Sequence, residues 1–198
     1  MVKVNKKEFL IVDAATQLFT DRGYAVSMDN IAKEAGVSKQ TVYSYFSTKD
    51  ALLERCISEK CQAVFLNPSV LDSDLPLEQV LVDFGFAFYQ FLLGKEACSI
   101  FKVSVSLSHS HPELARIYLA AGPEKTNHTF KQFLLQRWRR GEIKADADID
   151  VATTQFLMMC HGRGVIHKQL NHTVKESDEQ IRQYIQHCAA MFLAYWGA

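Results

Sequence analysis

Residues Ser27–Leu53 read SMDNIAKEAGVSKQTVYSYFSTKDALL, and this stretch decides the fold of the first part of the chain. It contains a short helical pattern, a glycine, a second short helical pattern and the start of a third. Polar residues fall on one face of the second pattern, while apolar residues recur at the spacing that a small helical core requires. This order predicts a helix-turn-helix, the unit that places one helix in the major groove of DNA.

Capping signals within the same stretch support this prediction. Ser27 and Ser38 each precede a helical pattern and are suited to accept a hydrogen bond from its first turn. Gly36 lies between the two patterns and suits the left-handed backbone of a tight helix exit. Ser47 and Asp50 form an S-x-x-D pattern, which predicts the cap of a third helix. The sequence therefore predicts where each of the three helices begins.

The outward face of the second helix carries the candidate DNA contacts. Val42 and Phe46 lie one helical turn apart and point inward, which leaves Lys39, Gln40, Tyr43 and Ser44 facing outward. A phenol suits DNA because its ring packs on sugar or on a thymine methyl and its hydroxyl donates to a phosphate. The alternative is that the tyrosines only cover the three-helix core, and this applies more to Tyr45 than to Tyr43.

Residues 7–53 resemble the DNA-binding domain of the TetR family of bacterial transcriptional regulators. The matching positions are Ile11, Ala14, Ala15, Leu18, Phe19, Gly23, Tyr24, Ile31, Ala32, Ala35, Gly36, Val37, Ser38, Thr41, Val42, Tyr43, Tyr45, Phe46, Lys49 and Leu52. The resemblance implies that the recognition helix runs from Lys39 to Tyr45. It also implies that Lys49 binds a phosphate, which suits its place at a helix N-terminus.

The expected contacts divide into two groups. Lys39 and Gln40 are expected to read base edges, with Ser44 as a further candidate. Phosphate contacts are expected from Ser27, Thr41, Tyr43, Tyr45 and Lys49.

Composition limits the remaining possibilities. The 198 residues are 48% hydrophobic, with 22 basic and 22 acidic residues. This balance argues against a protein that binds nucleic acid over its whole surface. Residues 1–49 still hold seven Lys and Arg against five Asp and Glu. Lys3, Lys6 and Lys7 form a basic arm that either reaches DNA or is a frayed, solvated terminus.

The cysteines indicate a reducing compartment. There are five, an odd number, without a C-x-x-C pair, so free thiols in the cytoplasm are expected. Their spacing gives no support to a redox-sensing role. No signal peptide or membrane-spanning run is recognised, so no membrane partner is expected. The cysteines are Cys56, Cys61, Cys98, Cys160 and Cys188.

Every long segment favours helix, so the predicted fold class is all-α. Residues 1–49 are predicted to be a three-helix helix-turn-helix domain, and residues 50–198 a larger helical domain for effector binding and dimerisation. Gly122-Pro123 is expected to break or kink a helix, because proline removes a donor and clashes with the preceding turn. The acidic residues Asp146, Asp148 and Asp150 lack the glycine and closing glutamate of a calcium loop, so they are expected to cap the next helix.

The resemblance implies that the last two long helices, near Asp150–Leu170 and Ser177–Trp196, pair with the same helices of a second subunit. Small residues allow close approach, and the final helix carries an apolar stripe at three- and four-residue spacing. The alternative is that this stripe faces the protomer's own core. The candidate interface residues are Ala152, Gly162, Ile181, Ile185, Ala189 and Phe192.

Aromatic residues suggest a ligand cavity between helices. Five rings crowd the segment from Phe84 to Phe91, which are too many for one buried face. Such a cavity would take an apolar or aromatic small molecule, although rings at this spacing are more often core. The candidate lining residues are Phe84, Phe88, Phe101, Phe130, Phe156, Met159 and His161.

Together these features predict a homodimeric, ligand-responsive transcriptional regulator. It would bind a palindromic DNA operator, more as a repressor than as an activator, and an apolar or aromatic effector would release it. We expect no cofactor or metal, since His109, His111 and His128 are weak evidence for a site. No nucleophile elbow, phosphate loop or H-E-x-x-H motif predicts an enzyme. The alternatives are a regulator without an effector, and an enzyme or ligand carrier with an appended helix-turn-helix.

Overall fold

A computed structural model describes residues 6–64, 71 and 74–198. These residues form helices without a β-strand, which confirms the all-α prediction. Lys3 of the basic arm lies outside the described residues. The helices are α1 (Lys6–Arg22), α2 (Met28–Glu34), α3 (Lys39–Tyr45), α4 (Lys49–Val64), α5 (Leu77–Leu93), α6 (Lys95–Leu107), α7 (Pro112–Leu119), α8 (Lys125–Arg139), α9 (Ile149–Gln169) and α10 (Asp178–Trp196).

Packing groups the helices into two compact units. The first contains the described residues up to Lys60 together with Lys95–Pro123, and the second contains Cys61–Gly94 together with Glu124–Ala198. This grouping by packing differs from the domain boundary predicted after residue 49. That predicted boundary separates the DNA-reading helices from the rest of the chain by function, and it remains a proposal. None of the described helices is both long and apolar enough to span a membrane.

The first unit is built on the apolar face of α1. Ile11 and Ala15 are fully buried there, as are Ile31 of α2, Val42 of α3 and Leu52 of α4. Because these positions recur at helical spacing, short helices that would be marginal alone are held by one shared core.

Ion pairs join α6 to the helices around it in this unit. Lys95 Nζ lies 2.7 Å from Asp21 Oδ1 of α1, and Lys60 Nζ lies 3.0 Å from Glu96 Oε2. Such exposed pairs contribute little to stability, so the apolar core remains the main source of it.

The second unit places α5 against both α9 and α10. Gly85 permits this approach, because a Cβ at that position would lie 2.7 Å from Ile185 Cγ2 and 3.0 Å from Cys160 Sγ. Both distances are shorter than ordinary carbon contacts, so any larger residue would push the helices apart.

Helix ends in the second unit follow their local signals. Asp148 caps α9 by accepting hydrogen bonds from the Asp150 and Val151 backbone nitrogens at 3.0 and 3.1 Å, as the acidic run predicts. Ser177 forms a capping box with Gln180 at the start of α10. Pro123, where a break or kink is predicted, lies in a π-helical turn over Ala120–Glu124.

Helix α9 is kinked at Gly162, a feature that the sequence did not predict. Gly162 has φ +62° and ψ 169°, which interrupts the helical hydrogen bonding. The ring of Tyr89, from α5, occupies the space that side chains at Gly162 and Gly164 would fill. Beside the kink, the Tyr184 hydroxyl donates to the Met159 carbonyl at 2.7 Å. The two tyrosines therefore support α9 where its own hydrogen bonds are missing.

Candidate nucleic-acid interface

Serine caps set the starts of α2 and α3. Ser27 Oγ accepts a hydrogen bond from the Asn30 backbone nitrogen at 3.2 Å, and Ser38 Oγ accepts one from the Thr41 nitrogen at 3.1 Å. Each cap satisfies a backbone donor that has no partner within its helix. Both predicted caps are confirmed.

The turn between α2 and α3 is a Schellman motif centred on Gly36. This glycine has φ +65°, and its nitrogen donates to the Lys33 carbonyl at 3.2 Å. The Val37 nitrogen donates to the Ala32 carbonyl at 3.0 Å. The left-handed backbone that closes this turn favours glycine, so the angle between the two helices follows from the local sequence.

The cap of α4 lies one residue later than predicted. Thr48 Oγ1 accepts a hydrogen bond from the Ala51 backbone nitrogen at 3.1 Å, so the prediction of Ser47 as the cap is wrong. Adjacent Ser and Thr are both good caps, and the S-x-x-D spacing misled the choice. The Asp50 carboxylate instead accepts a hydrogen bond from the Tyr24 hydroxyl.

Helix α3 presents a polar face. Val42 and Phe46 are buried, while the Tyr43 side chain is 46% exposed. Gln40 and Ser44 are exposed beside it, whereas Thr41 and Tyr45 are half-buried. The half-burial of Tyr45 agrees with a side chain that partly covers the core.

Lys39 is held by an ion pair in the free protein. Its Nζ lies 2.7 Å from Asp29 Oδ1 of α2 and 5.9 Å from the centre of the Tyr43 ring. The hydrogen bond and charge of Asp29 raise the pKa of Lys39. Since the pair is exposed, DNA would compete with the carboxylate for this ammonium group.

Lys49 is folded back onto the segment between α1 and α2. Its Nζ donates to the Tyr24 carbonyl at 2.7 Å and to the Val26 carbonyl at 3.2 Å. The ammonium also lies 4.0 Å from the centre of the Tyr24 ring, and burial lowers its pKa. Because an ammonium has three donors, one remains for an anion after these two bonds.

The serine and threonine hydroxyls near this face already have partners. Ser44 donates to the Thr41 carbonyl at 2.7 Å, and the Thr41 hydroxyl lies 2.8 Å from that of Ser38. The Ser27 hydroxyl contacts the Asn30 side chain. Each hydroxyl has a single donor, so Ser44 would lose its present bond on donating to DNA.

The rings predicted to line a cavity are packed against each other. Phe130 lies between Phe84 and Phe156, with ring centres 4.5 and 5.2 Å away, and the Phe84 and Phe88 centres are 6.0 Å apart. These four side chains are buried. They fill the space themselves, so we correct their assignment as an open cavity wall to core packing, the alternative that the sequence left open.

The remaining candidate lining residues have other contacts within their own units. Phe101 belongs to the first unit, where its ring packs edge-on against Tyr118 at 6.0 Å. Met159 is half-buried and gives its carbonyl to Tyr184. His161 is half-buried, and burial lowers its pKa, which favours the neutral imidazole.

For five of the six predicted interface residues, the structure favours the alternative that they face the protomer's own core. Five of the six side chains are buried inside the protomer, so they have no free surface to offer a partner. Gly162, the sixth, forms the kink in α9. The buried five are Ala152, Ile181, Ile185, Ala189 and Phe192.

A second apolar stripe lies on the opposite faces of these helices. Met158 and Met191 are each 64% exposed, and further large apolar side chains flank them. The sequence contains a pattern from which this stripe could have been predicted. Tyr184, Met191 and Tyr195 follow each other at seven- and four-residue spacing, which places them on one face of a helix. The exposed set is Val151, Met158, Ile166, Leu170, Tyr184, Met191 and Tyr195.

Comparison with known families agrees with this arrangement. Residues 11–56 match the family model described as bacterial regulatory proteins, tetR family. Residues 79–198 match the model described as AefR-like transcriptional repressor, C-terminal domain. The second match alone covers more than half of the chain.

Curated relatives match over different lengths. The uncharacterised HTH-type transcriptional regulator YuxN of Bacillus subtilis is 45% identical over 51 residues, which are 25% of this chain and 18% of that protein. The chain thus spans less than a fifth of that relative. The HTH-type transcriptional repressor ComR of Escherichia coli is 25% identical over 144 residues, which are 70% of this chain and 68% of ComR.

Solved structures match along the whole chain. A TetR-family regulator from Mesorhizobium loti superposes with a TM-score of 0.81 at 22% identity and full coverage of both chains, which supports the fold. The flavonoid-responsive regulator FrrA superposes with a TM-score of 0.71 at 31% identity, over 96% of this chain and 97% of FrrA. With both family models matched and a helix-turn-helix in place, the chain belongs to the TetR family of bacterial transcriptional regulators.

Proposed function

We propose that this protein is a homodimeric repressor that binds a palindromic operator through α3 and leaves it when a small aromatic molecule binds. The exposed polar face of α3, a helix whose start is set by the Gly36 turn and the Ser38 cap, is the observation that carries this proposal.

The chemistry of this face suits the major groove. Gln40 can pair with an adenine edge through two hydrogen bonds, and Lys39 can donate to guanine. Tyr43 and Lys49 lie at positions from which the phenol and the remaining ammonium donor would meet phosphates. Base contacts and phosphate contacts would thus come from neighbouring side chains of one short segment.

Two similarities favour repression. The C-terminal family model is described as that of a transcriptional repressor, and ComR carries the same description. A repressor also needs no surface for recruiting polymerase, since occupancy of the operator is sufficient.

A dimer is supported by the exposed apolar stripe on α9 and α10, which we name the outer stripe: Val151, Met158, Ile166, Leu170, Tyr184, Met191 and Tyr195. Exposed apolar groups of this size are typical of interaction surfaces. Antiparallel packing of two helices from each subunit would bury the outer stripe and set the two copies of α3 at a fixed spacing.

The effector is proposed to be aromatic. FrrA is described as responsive to flavonoids, and the second unit of this chain is rich in rings. Since those rings are packed together here, an effector would bind a form in which they have separated. A ligand that prefers this form over the DNA-binding form weakens the affinity of the protein for DNA. By linkage, DNA weakens the affinity of the protein for the ligand by the same factor.

Selection of duplexes from a randomised pool tests the DNA-binding part. The full-length protein should enrich a two-fold symmetric motif, with half-sites about one helical turn apart or a multiple of it. The double variant Lys39→Ala/Tyr43→Ala should lose enrichment, while Lys175→Ala, a lysine of the second unit, should keep it. Absence of any enriched motif for the native protein would contradict the proposal, and an asymmetric motif would contradict the homodimer.

A flavonoid panel tests the effector part. An active compound should raise the melting temperature of the free protein and weaken the complex with the selected duplex. If compounds raise the melting temperature without changing DNA affinity, they bind but do not regulate. If none has either effect, the alternative of a regulator without an aromatic effector is preferred.

A further inference from the structure

Helix α3 has a single charged residue, and its charge is paired in the free protein. Of the seven residues of α3, only Lys39 is charged. Its Nζ lies 2.7 Å from Oδ1 of Asp29 and donates to Oδ2 at 3.0 Å, so both oxygens of the carboxylate face the ammonium. The helix that we propose for the major groove therefore has its one cation neutralised by a residue of α2.

The pair joins two helix starts that are fixed independently of it. Asp29 lies in the first turn of α2, whose cap is Ser27. Lys39 is the first residue of α3, whose cap is Ser38. The left-handed turn at Gly36 connects the two helices. Because the caps and the turn already order the backbone, only the two side chains have to be ordered for the pair to form.

A second lysine lies within reach of Asp29 on its own helix. Lys33 follows it by four residues on α2, and an acidic residue four positions before a lysine is a favourable spacing for an ion pair on one helix. Lys33 is exposed, yet the carboxylate contacts Lys39 across the turn. The packing of α2 against α3 therefore favours the pair that crosses the turn.

The pair leaves the ammonium over the outward face of α3. The Lys39 Nζ lies 5.9 Å from the centre of the exposed Tyr43 ring, one helical turn further along. An ammonium has three donors, and the two contacts with Asp29 leave at least one for another acceptor. The first residues of a recognition helix commonly contact base edges. Asp29 therefore holds the Lys39 ammonium at a place from which one donor can meet a base.

The charge balance of this segment connects the pair to non-specific binding. Across residues 28–46 two acidic residues balance two lysines, so the segment has no net charge. Non-specific affinity for DNA comes from cations that replace counterions on the phosphates. An ammonium paired with a carboxylate brings no net charge to a phosphate, so it replaces few counterions. The state of the pair therefore affects how strongly α2 and α3 bind DNA of any sequence.

We propose that Asp29 is a positioning residue that holds the Lys39 ammonium towards a base edge and withholds it from DNA phosphates. In the matched complex the pair stays closed, while the remaining donor of Lys39 reaches a guanine acceptor, O6 or N7. On DNA of other sequence, a phosphate competes with the carboxylate for the ammonium without adding a bond, so binding gains little. Asp29 thereby raises the ratio of matched to mismatched affinity without touching a base itself.

Loss of the carboxylate frees the ammonium on both kinds of DNA, with opposite consequences. On a duplex of mixed sequence, a free Lys39 adds a phosphate contact and strengthens binding. On the matched duplex, the free lysine side chain must be ordered on binding, so part of the gain from the base contact is lost. The expected result is a smaller ratio between the two affinities and not a uniform change in both.

Fluorescence anisotropy over a series of salt concentrations tests the inference on the full-length protein. Compared with the native protein, Asp29→Asn should bind a duplex of mixed sequence about fivefold more tightly at low salt. The slope of log affinity against log salt concentration on this duplex should steepen by about 0.9 for each protomer bound, since one more phosphate is neutralised. Binding to the matched duplex should not tighten. Asp29→Glu, which keeps the carboxylate, should keep the native slope.

The double variant Asp29→Asn/Lys39→Ala shows whether Asp29 acts through Lys39. If it does, substitution of Asp29 should have no further effect on affinity or slope once Lys39 is replaced. Asp29→Asn/Lys33→Ala is the comparison for a lysine of the same helix, and relative to Lys33→Ala the gain on the mixed-sequence duplex should persist. In selection from a randomised pool, Asp29→Asn should relax the preference at the same base position as Lys39→Ala.

Asp21→Asn is the matched control for the loss of one negative charge. Asp21 of α1 pairs with Lys95 of α6 at 2.7 Å, and both side chains are exposed, as in the pair of Asp29 and Lys39. Asp21 lies outside α2 and α3, so its substitution should leave the affinity ratio and the salt slope unchanged. Thermal melts should show that all these variants fold, because every substituted side chain is exposed.

The inference rests on the proposed DNA-binding role of α3, but the two can fail separately. Asp29→Asn could leave affinity and slope on the mixed-sequence duplex unchanged, or tighten both duplexes equally, and either result would overturn the inference. So would a gain that persists with Lys39→Ala, which would mean direct repulsion of phosphates by Asp29, or an equal gain in Asp21→Asn. A native protein that selects no motif contradicts the proposed function instead, and the mixed-sequence measurements still decide whether Asp29 withholds Lys39.

Discussion

The α2–α3 segment and the α9–α10 pair differ in how apolar side chains are divided between the core and the surface. In α2–α3, apolar side chains point inward and the outward face is polar, so each residue type indicates its own side. In α9–α10 both faces are apolar, since Ala189 is buried while Met191, two positions later, is 64% exposed. Residue type alone therefore distinguishes inside from outside in the first region and fails in the second.

The difference reflects what each region packs against. A two-faced helix with one polar side has a single apolar partner, and its periodicity is sufficient to orient it. A helix that carries apolar residues on two faces, as α10 does, is expected to have a partner on each of them. The contrast gives a rule for this chain. Substitutions on the exposed face of α3 should change DNA recognition with little change in stability, whereas on α10 the face on which a residue lies decides whether stability or dimerisation changes.

Ala189→Glu should have the largest effect. The side chain is fully buried, so the variant places an unpaired carboxylate in the protomer core and overfills it. We expect a loss of about 4 to 8 kcal/mol in the free energy of unfolding, enough to unfold most of the protein. Urea denaturation followed by circular dichroism measures it.

Met191→Glu is the matched control two positions away. We expect a folded protein with near-native helicity that elutes as a monomer and binds the operator weakly. If Ala189→Glu stays folded and Met191→Glu stays dimeric, the assignment of inner and outer faces on α10 is wrong.

Phe130→Ala tests whether the aromatic cluster is core. Its ring contacts three neighbours in the second unit, with centres 4.5 to 5.7 Å away. Truncation should cost about 3 to 5 kcal/mol, as for other buried aromatic residues. Phe9→Ala, on the exposed side of α1, should change the free energy of unfolding little. A small loss for Phe130→Ala would mean that the rings enclose open space, and the cavity prediction would regain support.

The sequence predicted the first region more completely than the second. The caps at Ser27 and Ser38 and the turn at Gly36 depend on hydrogen bonds between neighbours in sequence, so local patterns were sufficient. The cap at Thr48 was missed by one residue, because Ser47 offers the same chemistry.

The features missed in the second region depend on contacts between distant residues. The kink at Gly162 lies against the Tyr89 ring, which comes from α5, more than 70 positions earlier in the sequence. The partners held by Lys39 and Lys49 in the free protein were also missed. Asp29 becomes a neighbour of Lys39, and the Tyr24 carbonyl a neighbour of Lys49, only after the helices pack.

Gln40→Ala and Lys39→Ala sharpen the comparison at the DNA-reading face. Each should relax the preference at one or two positions of every half-site by roughly tenfold, since each removes donors to a base edge. Selection on randomised duplexes measures this change, and thermal melts should stay close to native because both side chains are exposed. An unchanged motif for both variants would remove these residues from base reading.

Tyr43→Phe should have the smallest effect, and it separates phosphate contact from base reading. The ring is 46% exposed and lies on the same face as Gln40, so the substitution keeps the packing surface and removes only the hydroxyl. Loss of one phosphate hydrogen bond should weaken matched and scrambled duplexes alike, by about 1 kcal/mol. Fluorescence anisotropy on both duplexes at one salt concentration measures it. A loss confined to the matched duplex would place the hydroxyl on a base edge. No loss on either duplex would indicate that the Tyr43 hydroxyl does not contact DNA and that its ring covers the core. Residue type alone does not predict that role for a tyrosine on this face.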